Sequence, residues 1–277
     1  MRGMWKAAML GVAVAAAATV QAQASASPLT WNPSGASPSL GAGPFTFNNQ
    51  IISDFSVTTI NPVTGAFTDI GYLPITQFQL NGAVVNNIGL NTQYVLYYQF
   101  ASSGTFYTDV NHTTPGFNPS LSFATFGNVE YTLNAHDLAN GVPVFSAVLP
   151  GPATDSNTVG DFQLASGVLT YSGTGSVFSS IPTADVFTSF VPNPAQSGFF
   201  TSPLPPIYSM LTLEAAFTNT RSVVTIAPCE GGTAVCIAVN GGGGNVSFVP
   251  EPASMLLIGT GLVGVGLIRR RQQRRAA

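Results

Sequence analysis

Apolar and polar residues alternate in short runs through most of this chain, and helical periodicity is nearly absent. Runs at 50–59, 76–80, 94–100, 105–110, 120–126, 129–133, 161–171, 210–218, 222–226, 234–239 and 246–249 are rich in Val, Ile, Thr, Phe and Tyr. Gly, Pro and Asn separate them, the punctuation expected between strands. Leu211, Leu213, Ala215 and Phe217 put apolar side chains on one face, while Thr212, Glu214 and Thr218 lie between or beside them. That period of two suits a strand with one buried face. Asn81-Gly82 stands between two such runs and predicts a two-residue hairpin turn; Asn140-Gly141 and Asn240-Gly241 are candidates for the same turn. The pattern predicts an all-β body over 27–248, an antiparallel β-sandwich of jelly-roll type with about 10 to 14 strands. Two segments read as loops: 27–43, rich in Pro, Ser and Gly and taken as a mobile lead-in, and 192–206, with five prolines; the glycine-rich 240–245 reads as a hairpin tip or a spacer before the tail.

Both ends depart from this pattern. Arg2 and Lys6 precede an uncharged stretch at 7–20, followed by small residues at alternate positions, Ala22, Ala24 and Ala26. This is the pattern of a secretory signal peptide, predicted to span 1–24 as a helix cleaved after Ala24 or Ala26. Near the other end, Val249, Pro250, Glu251 and Pro252 lead into an uncharged stretch at 255–268, then Arg269, Arg270, Arg271, Arg274 and Arg275. A helix over 253–268 would rise about 24 Å, slightly less than a hydrocarbon core of about 30 Å, and the arginines can reach the headgroups. The expectation is a single short transmembrane helix in a tail at 249–277. Its basic end faces the cytoplasm and the body faces outward.

Charge sharpens the division. Apart from those two ends the body holds one basic residue, Arg221, against ten acidic ones. A body so poor in basic groups is unsuited to nucleic acid or an anionic membrane surface.

The three-part tail resembles a PEP-CTERM sorting domain, carried by Val249-Pro250-Glu251-Pro252, the apolar stretch and the arginine cluster. Gly43-Pro44-Phe45-Thr46, Gly89-Leu90-Asn91-Thr92-Gln93-Tyr94 and Ser103-Gly104-Thr105 are similar to strings in flocculation-associated proteins of that class. The resemblance implies a Gram-negative bacterium, export through signal peptidase and the Sec machinery, and a transient inner-membrane form facing the periplasm. It also implies processing by an exosortase near Glu251 and arrival at the cell surface or in the matrix. Two prolines would keep the cleaved stretch extended and accessible.

Candidate chemistry in the body is sparse. Cys229 and Cys236 are the only cysteines, and an oxidising compartment predicts a disulfide between them. His112 lies beside Asp109 and Asn111, and His136 beside Asp137; each group is a candidate dyad, with an exposed loop histidine as the plainer reading. Asp155, Asn157 and Asp161 flank Gly160 in an oxygen-rich loop of the kind calcium prefers, but without EF-hand spacing. Glu130 and Glu214 are the body glutamates to consider as paired carboxylates for glycoside hydrolysis. Tyr97, Tyr98, Phe106 and Tyr107 can serve as sugar-stacking platforms or as core. Gly259, Gly261 and Gly264 match a dinucleotide fingerprint by letter but lie in the apolar tail, without a preceding strand. The reading is a non-enzymatic surface or matrix protein without metal or cofactor, associated with exopolysaccharide in biofilm or floc. A secreted glycan-binding module and a secreted carbohydrate-active hydrolase are the alternatives.

Overall fold

The computed structural model describes residues 28–170, 173–203, 211–218 and 223–250. The predicted signal and anchor helices, with Ala22, Ala24, Ala26 and the tail from Glu251 onward, lie outside the described residues. Among the described residues no helix is long and apolar enough to cross a membrane.

Seventeen strands are present among the described residues. They are β1 (Leu29–Trp31), β2 (Phe45–Phe47), β3 (Asn49–Ile60), β4 (Ala66–Leu80), β5 (Ala83–Val84), β6 (Tyr94–Tyr107), β7 (Leu121–Asp137), β8 (Phe145–Ala147), β9 (Ala153–Asp155), β10 (Phe162–Val168), β11 (Gly173–Phe178), β12 (Ile181–Ser189), β13 (Val191–Pro192), β14 (Phe200–Ser202), β15 (Leu211–Thr218), β16 (Val223–Cys229) and β17 (Ala234–Pro250).

The all-β class holds, but the sandwich does not. The sheet runs β11-β12-β15-β17-β3-β4-β6-β7, and β7 pairs back onto β11, closing eight antiparallel strands into a barrel. The connectivity is a meander. β10 and β11 are successive lengths of one wall: Glu130 to Ala135 of β7 face β10, and Leu121 to Phe126 face β11. β17 returns alongside β3 over twelve residue pairs.

Strand length explains why a barrel forms. Runs separated by Ser, Gly or Asn join into strands of up to 17 residues because those separators are β-bulges. Register shifts occur between Ile51 and Ile52, between Ser103 and Gly104, and between Asn240 and Gly242. Such bulges bend and twist a strand, and so curl one sheet onto itself. Gly104 allows a very close approach: a Cβ there would lie 2.0 Å from the Thr125 carbonyl oxygen. The glycine-rich segment is neither a hairpin tip nor a spacer, for it lies inside the wall strand β17. Asn81-Gly82 does make the predicted turn, with φ of 54° and 83° between paired Leu80 and Ala83. Asn140-Gly141 instead ends a 3-10 turn.

Side-chain facing distinguishes this barrel from a membrane-spanning one. Ile52, Leu73, Leu96, Leu133, Val186 and Leu213 are buried. Thr68, Gln99 and Glu130 on the opposite face are exposed. A membrane barrel has the reverse arrangement.

The predicted mobile lead-in is a plug. β1 lies between β14 and β2 in a small separate sheet. Trp31 is fully buried and its ring lies 4.6 to 6.1 Å from those of Phe47, Phe199, Phe78, Phe200 and Phe248. The proline-rich segment taken as a loop contributes Phe199 and β14 to the same cluster. A second core of Ile60, Phe67, Phe106, Val177, Ile237 and Val239, with Phe117 against it, fills the other end. The disulfide Cys229–Cys236 ties β16 to β17.

Candidate functional site

Three places in the body bring polar chemistry together. The first is the lumen. On β3 the inward positions include Asp54, Ser56 and Thr58, opposite Asp69 on β4 and Ser102 on β6. Asp69 is paired in register with Thr58 on one side and Ser102 on the other. The Thr58 hydroxyl donates to Asp69 Oδ1 at 3.1 Å. Burial, reinforced by the nearby negative charge of Asp54, pushes the Asp69 carboxyl up to about 7, and the Thr58 bond only partly offsets this. These groups share a cavity of about 100 Å³ with Phe67, Phe106, Tyr131 and Val186. Small-molecule pockets run from about 300 Å³ upward, so this volume suits a few waters or an ion rather than a sugar ring.

The second place is a flap. Residues 138–161 leave the barrel after β7 and fold back over its outer face as the β8–β9 hairpin. The Asn240 amide holds it like a short strand, donating to the Ala147 carbonyl at 2.5 Å and accepting from the Ala147 N–H at 2.9 Å. Phe145 packs on Tyr97, Tyr72 and Phe55. At its end Asp161 Oδ1 lies 2.6 Å from His136 Nδ1, while Asp161 Oδ2 accepts from the Tyr97 hydroxyl at 2.5 Å. His136 Nε2 faces the Gly141 carbonyl oxygen at 2.9 Å. A carbonyl only accepts, so Nε2 donates to it, while Nδ1 and Asp161 Oδ1 share the hydrogen bond on the other side of the ring. His136 is fully buried, so this is an internal His–Asp pair. Asp155 lies nearby, its carboxyl raised chiefly by burial and further by Asp161, even though the Asn157 N–H donates to it. Of the three residues considered for calcium, Asp155 and Asp161 interact electrostatically, but both Asp161 oxygens are already engaged. Among the described residues no three His, Cys, Asp or Glu side chains form a metal-binding group.

The third place is an outer groove of about 620 Å³ running from β4 across β6 and β7 to β10. Tyr72, Ile70, Gln99, Glu130, Thr132 and Val168 contribute to its walls, with Ala153 of the flap at one side.

The remaining sequence candidates disperse. Asp109 and His112 form no dyad: the Asp109 carboxylate accepts from Thr113 and Thr114, and His112 stacks on Tyr107. Desolvation raises the Asp109 carboxyl, but the Thr113 and Thr114 bonds together, with His112 nearby, lower it overall. Asp137 accepts from the Ala139 N–H and caps a 3-10 turn. Glu130 and Glu214 stand on β7 and β15 with β11 and β12 between them, three strand spacings or about 14 Å apart, too far for a glycosidase pair. The Glu214 carboxyl is raised by partial burial and by Asp185. Tyr97, Tyr98 and Phe106 are buried, so none offers a free stacking face, whereas Tyr107 is partly exposed. Sequence reasoning missed the Asp54–Asp69 pair and the pairing of His136 with Asp161, which no local pattern signals.

Beyond the barrel, residues 248–272 match the family model described as the PEP-CTERM protein-sorting motif. The chain carries a PEP-CTERM sorting tail. The matched stretch includes Val249, Pro250, Glu251, Pro252 and Arg269 to Arg271, while Arg274 and Arg275 follow it. The PEP-CTERM tail marks an exported protein that passes through a membrane-anchored intermediate and is processed by an exosortase on its way to the cell surface. Comparison with curated proteins and with solved structures gives no match.

Proposed function

We propose that the processed protein is a non-enzymatic component of the surface or extracellular matrix of a Gram-negative bacterium, associated with exopolysaccharide in biofilm or floc. The observation that carries this reading is the joining of a PEP-CTERM tail to a barrel whose outer face is polar and nearly free of basic charge. Such a surface suits a neutral or weakly hydrated polymer better than nucleic acid. The carboxylates do not favour hydrolysis: Glu130 and Glu214 are too far apart, and Asp54 and Asp69 share too small a space for a sugar ring.

A discrete glycan-binding role is the second reading, and the outer groove favours it. Tyr72 supplies an aromatic face there, Gln99 and Glu130 supply hydrogen-bonding groups, and Ile70 and Val168 supply apolar edges. In a co-sedimentation assay with the producing cell's exopolysaccharide, the processed protein is expected in the pellet. Tyr72→Ala combined with Gln99→Ala is expected to weaken retention about ten-fold, the scale of one lost aromatic contact plus a hydrogen bond. Equal retention of the variant would remove the groove from the account. No retention of the unaltered protein would remove the polysaccharide role itself.

A further inference from the structure

The outer groove is crossed by two lanes of side chains in register, each running over β4, β6, β7 and β10. One lane is Tyr72, Gln99, Thr132 and Ser166; the other is Ile70, Ala101, Glu130 and Val168. Strands stand about 4.8 Å apart, so each lane spans about 14 Å. Glu130 is exposed, and among the described residues its carboxylate makes no hydrogen bond or ion pair. Among the described residues no Lys, Arg or His lines the groove. The body as a whole points the same way, with one basic residue against ten acidic ones.

The flap side of the groove is also negative. Burial raises the Tyr72 hydroxyl, and the charges of Asp155 and Asp161 in the flap raise it again. Asp161 is engaged by His136 and Tyr97, whereas Asp155 Oδ2 has no hydrogen-bond partner among the described residues. The Tyr72 ring therefore shares the groove with Glu130 and lies within the field of Asp155.

These charges separate three kinds of glycan. An acidic sugar would bring a second negative charge against Glu130 and be repelled. A neutral ring laid over Glu130 would strip water from a carboxylate and give it no opposite charge. A sugar with a free amino group brings an ammonium, which makes a charge-assisted hydrogen bond to a carboxylate and is attracted to the face of a tyrosine.

We propose that the outer groove recognises a glycan bearing unsubstituted amino sugars, with an ammonium group on Glu130 and a ring face on Tyr72. The inference rests on the glycan-binding reading of the same groove and names its ligand class. A largely neutral polymer with scattered ammonium groups meets the requirement, because the groove presents one free carboxylate rather than a row of them.

The test uses the secreted, processed protein and two hexasaccharides, one of glucosamine and one of N-acetylglucosamine. The two share rings and linkage and differ in the amine. Each is titrated by isothermal calorimetry in mildly acidic buffer, which keeps the free amines charged. The glucosamine hexamer is expected to bind about ten-fold more tightly, the scale of one hydrogen bond to a charged group. Raising the salt concentration is expected to shrink that preference, because an exposed charge pair is screened. Glu130→Gln keeps the shape of the side chain and removes its charge; it is expected to erase the preference while remaining folded by circular dichroism. Equal binding of the two probes, tighter binding of the acetylated one, or an unchanged preference in Glu130→Gln would overturn the inference while leaving the groove a glycan site. Binding of neither probe would overturn the inference together with the glycan reading beneath it.

Discussion

Trp31→Ala is expected to destabilise the body by about 3–5 kcal/mol, the range for removing a buried Trp or Phe. The loss follows from what surrounds the ring. Five phenylalanines from β2, β4, β14, β17 and the 3-10 turn at Pro194–Phe199 meet it at one end of the barrel. They belong to different strands or turns, so none can move alone to fill the space. The plug sheet has only three short strands, and its attachment is largely this cluster. Urea unfolding followed by far-ultraviolet circular dichroism measures the loss directly. Trp31→Phe retains an aromatic ring and is expected to lose less than half as much. It also removes an indole N–H that has no hydrogen-bond partner. A wild-type midpoint in Trp31→Ala would mean that the plug contributes little.

The second large effect is expected at the flap. Asp161→Asn takes the carboxyl group from the fully buried His136, and breaking one side of a buried pair costs about 3–5 kcal/mol. Asp161 also holds Tyr97, so the substitution loosens two contacts together. The double variant His136→Gln with Asp161→Asn removes both members of the pair and is expected to cost clearly less than the two single losses added. A double-mutant cycle measures that difference, and strict additivity would show that the pair is not coupled. Hydrogen exchange supplies a second readout: amides at 145–155 are expected to lose protection in the single variant while β6 and β7 keep theirs.

These two features show what was legible in the chain. Cys229 and Cys236 were readable because the bridging partners lie seven residues apart. Asn81-Gly82 was readable because a two-residue turn is a purely local decision. Trp31 was hidden by composition: β1 is three residues long and sits among Pro, Ser and Gly, so the segment resembled a lead-in. Its one signal was the pair Leu29 and Trp31 flanking Thr30. His136 and Asp161 are 25 residues apart and meet only because the flap folds back.

The barrel itself was hidden by strand β3, which is covered on both faces. Its Asp54, Ser56 and Thr58 face the lumen while Phe55 and Val57 lie under the flap. Polarity therefore ceased to mark which face was inside. The bulges also cut long strands into pieces that looked like a sandwich's short ones. The period-two pattern identified strands correctly, but it carries no information on whether a sheet stays open or closes.

The PEP-CTERM tail is expected to carry this barrel out of the cell and then to be cut from it. The most direct test is intact mass with cell fractionation of the native protein, in wild-type cells and in an exosortase deletion strain. An extracellular species that lacks the signal and the residues after about Glu251 is expected in wild type, and a tail-bearing species held in the inner membrane is expected in the deletion strain. A tail-bearing protein retained in the inner membrane of wild-type cells would contradict that expectation.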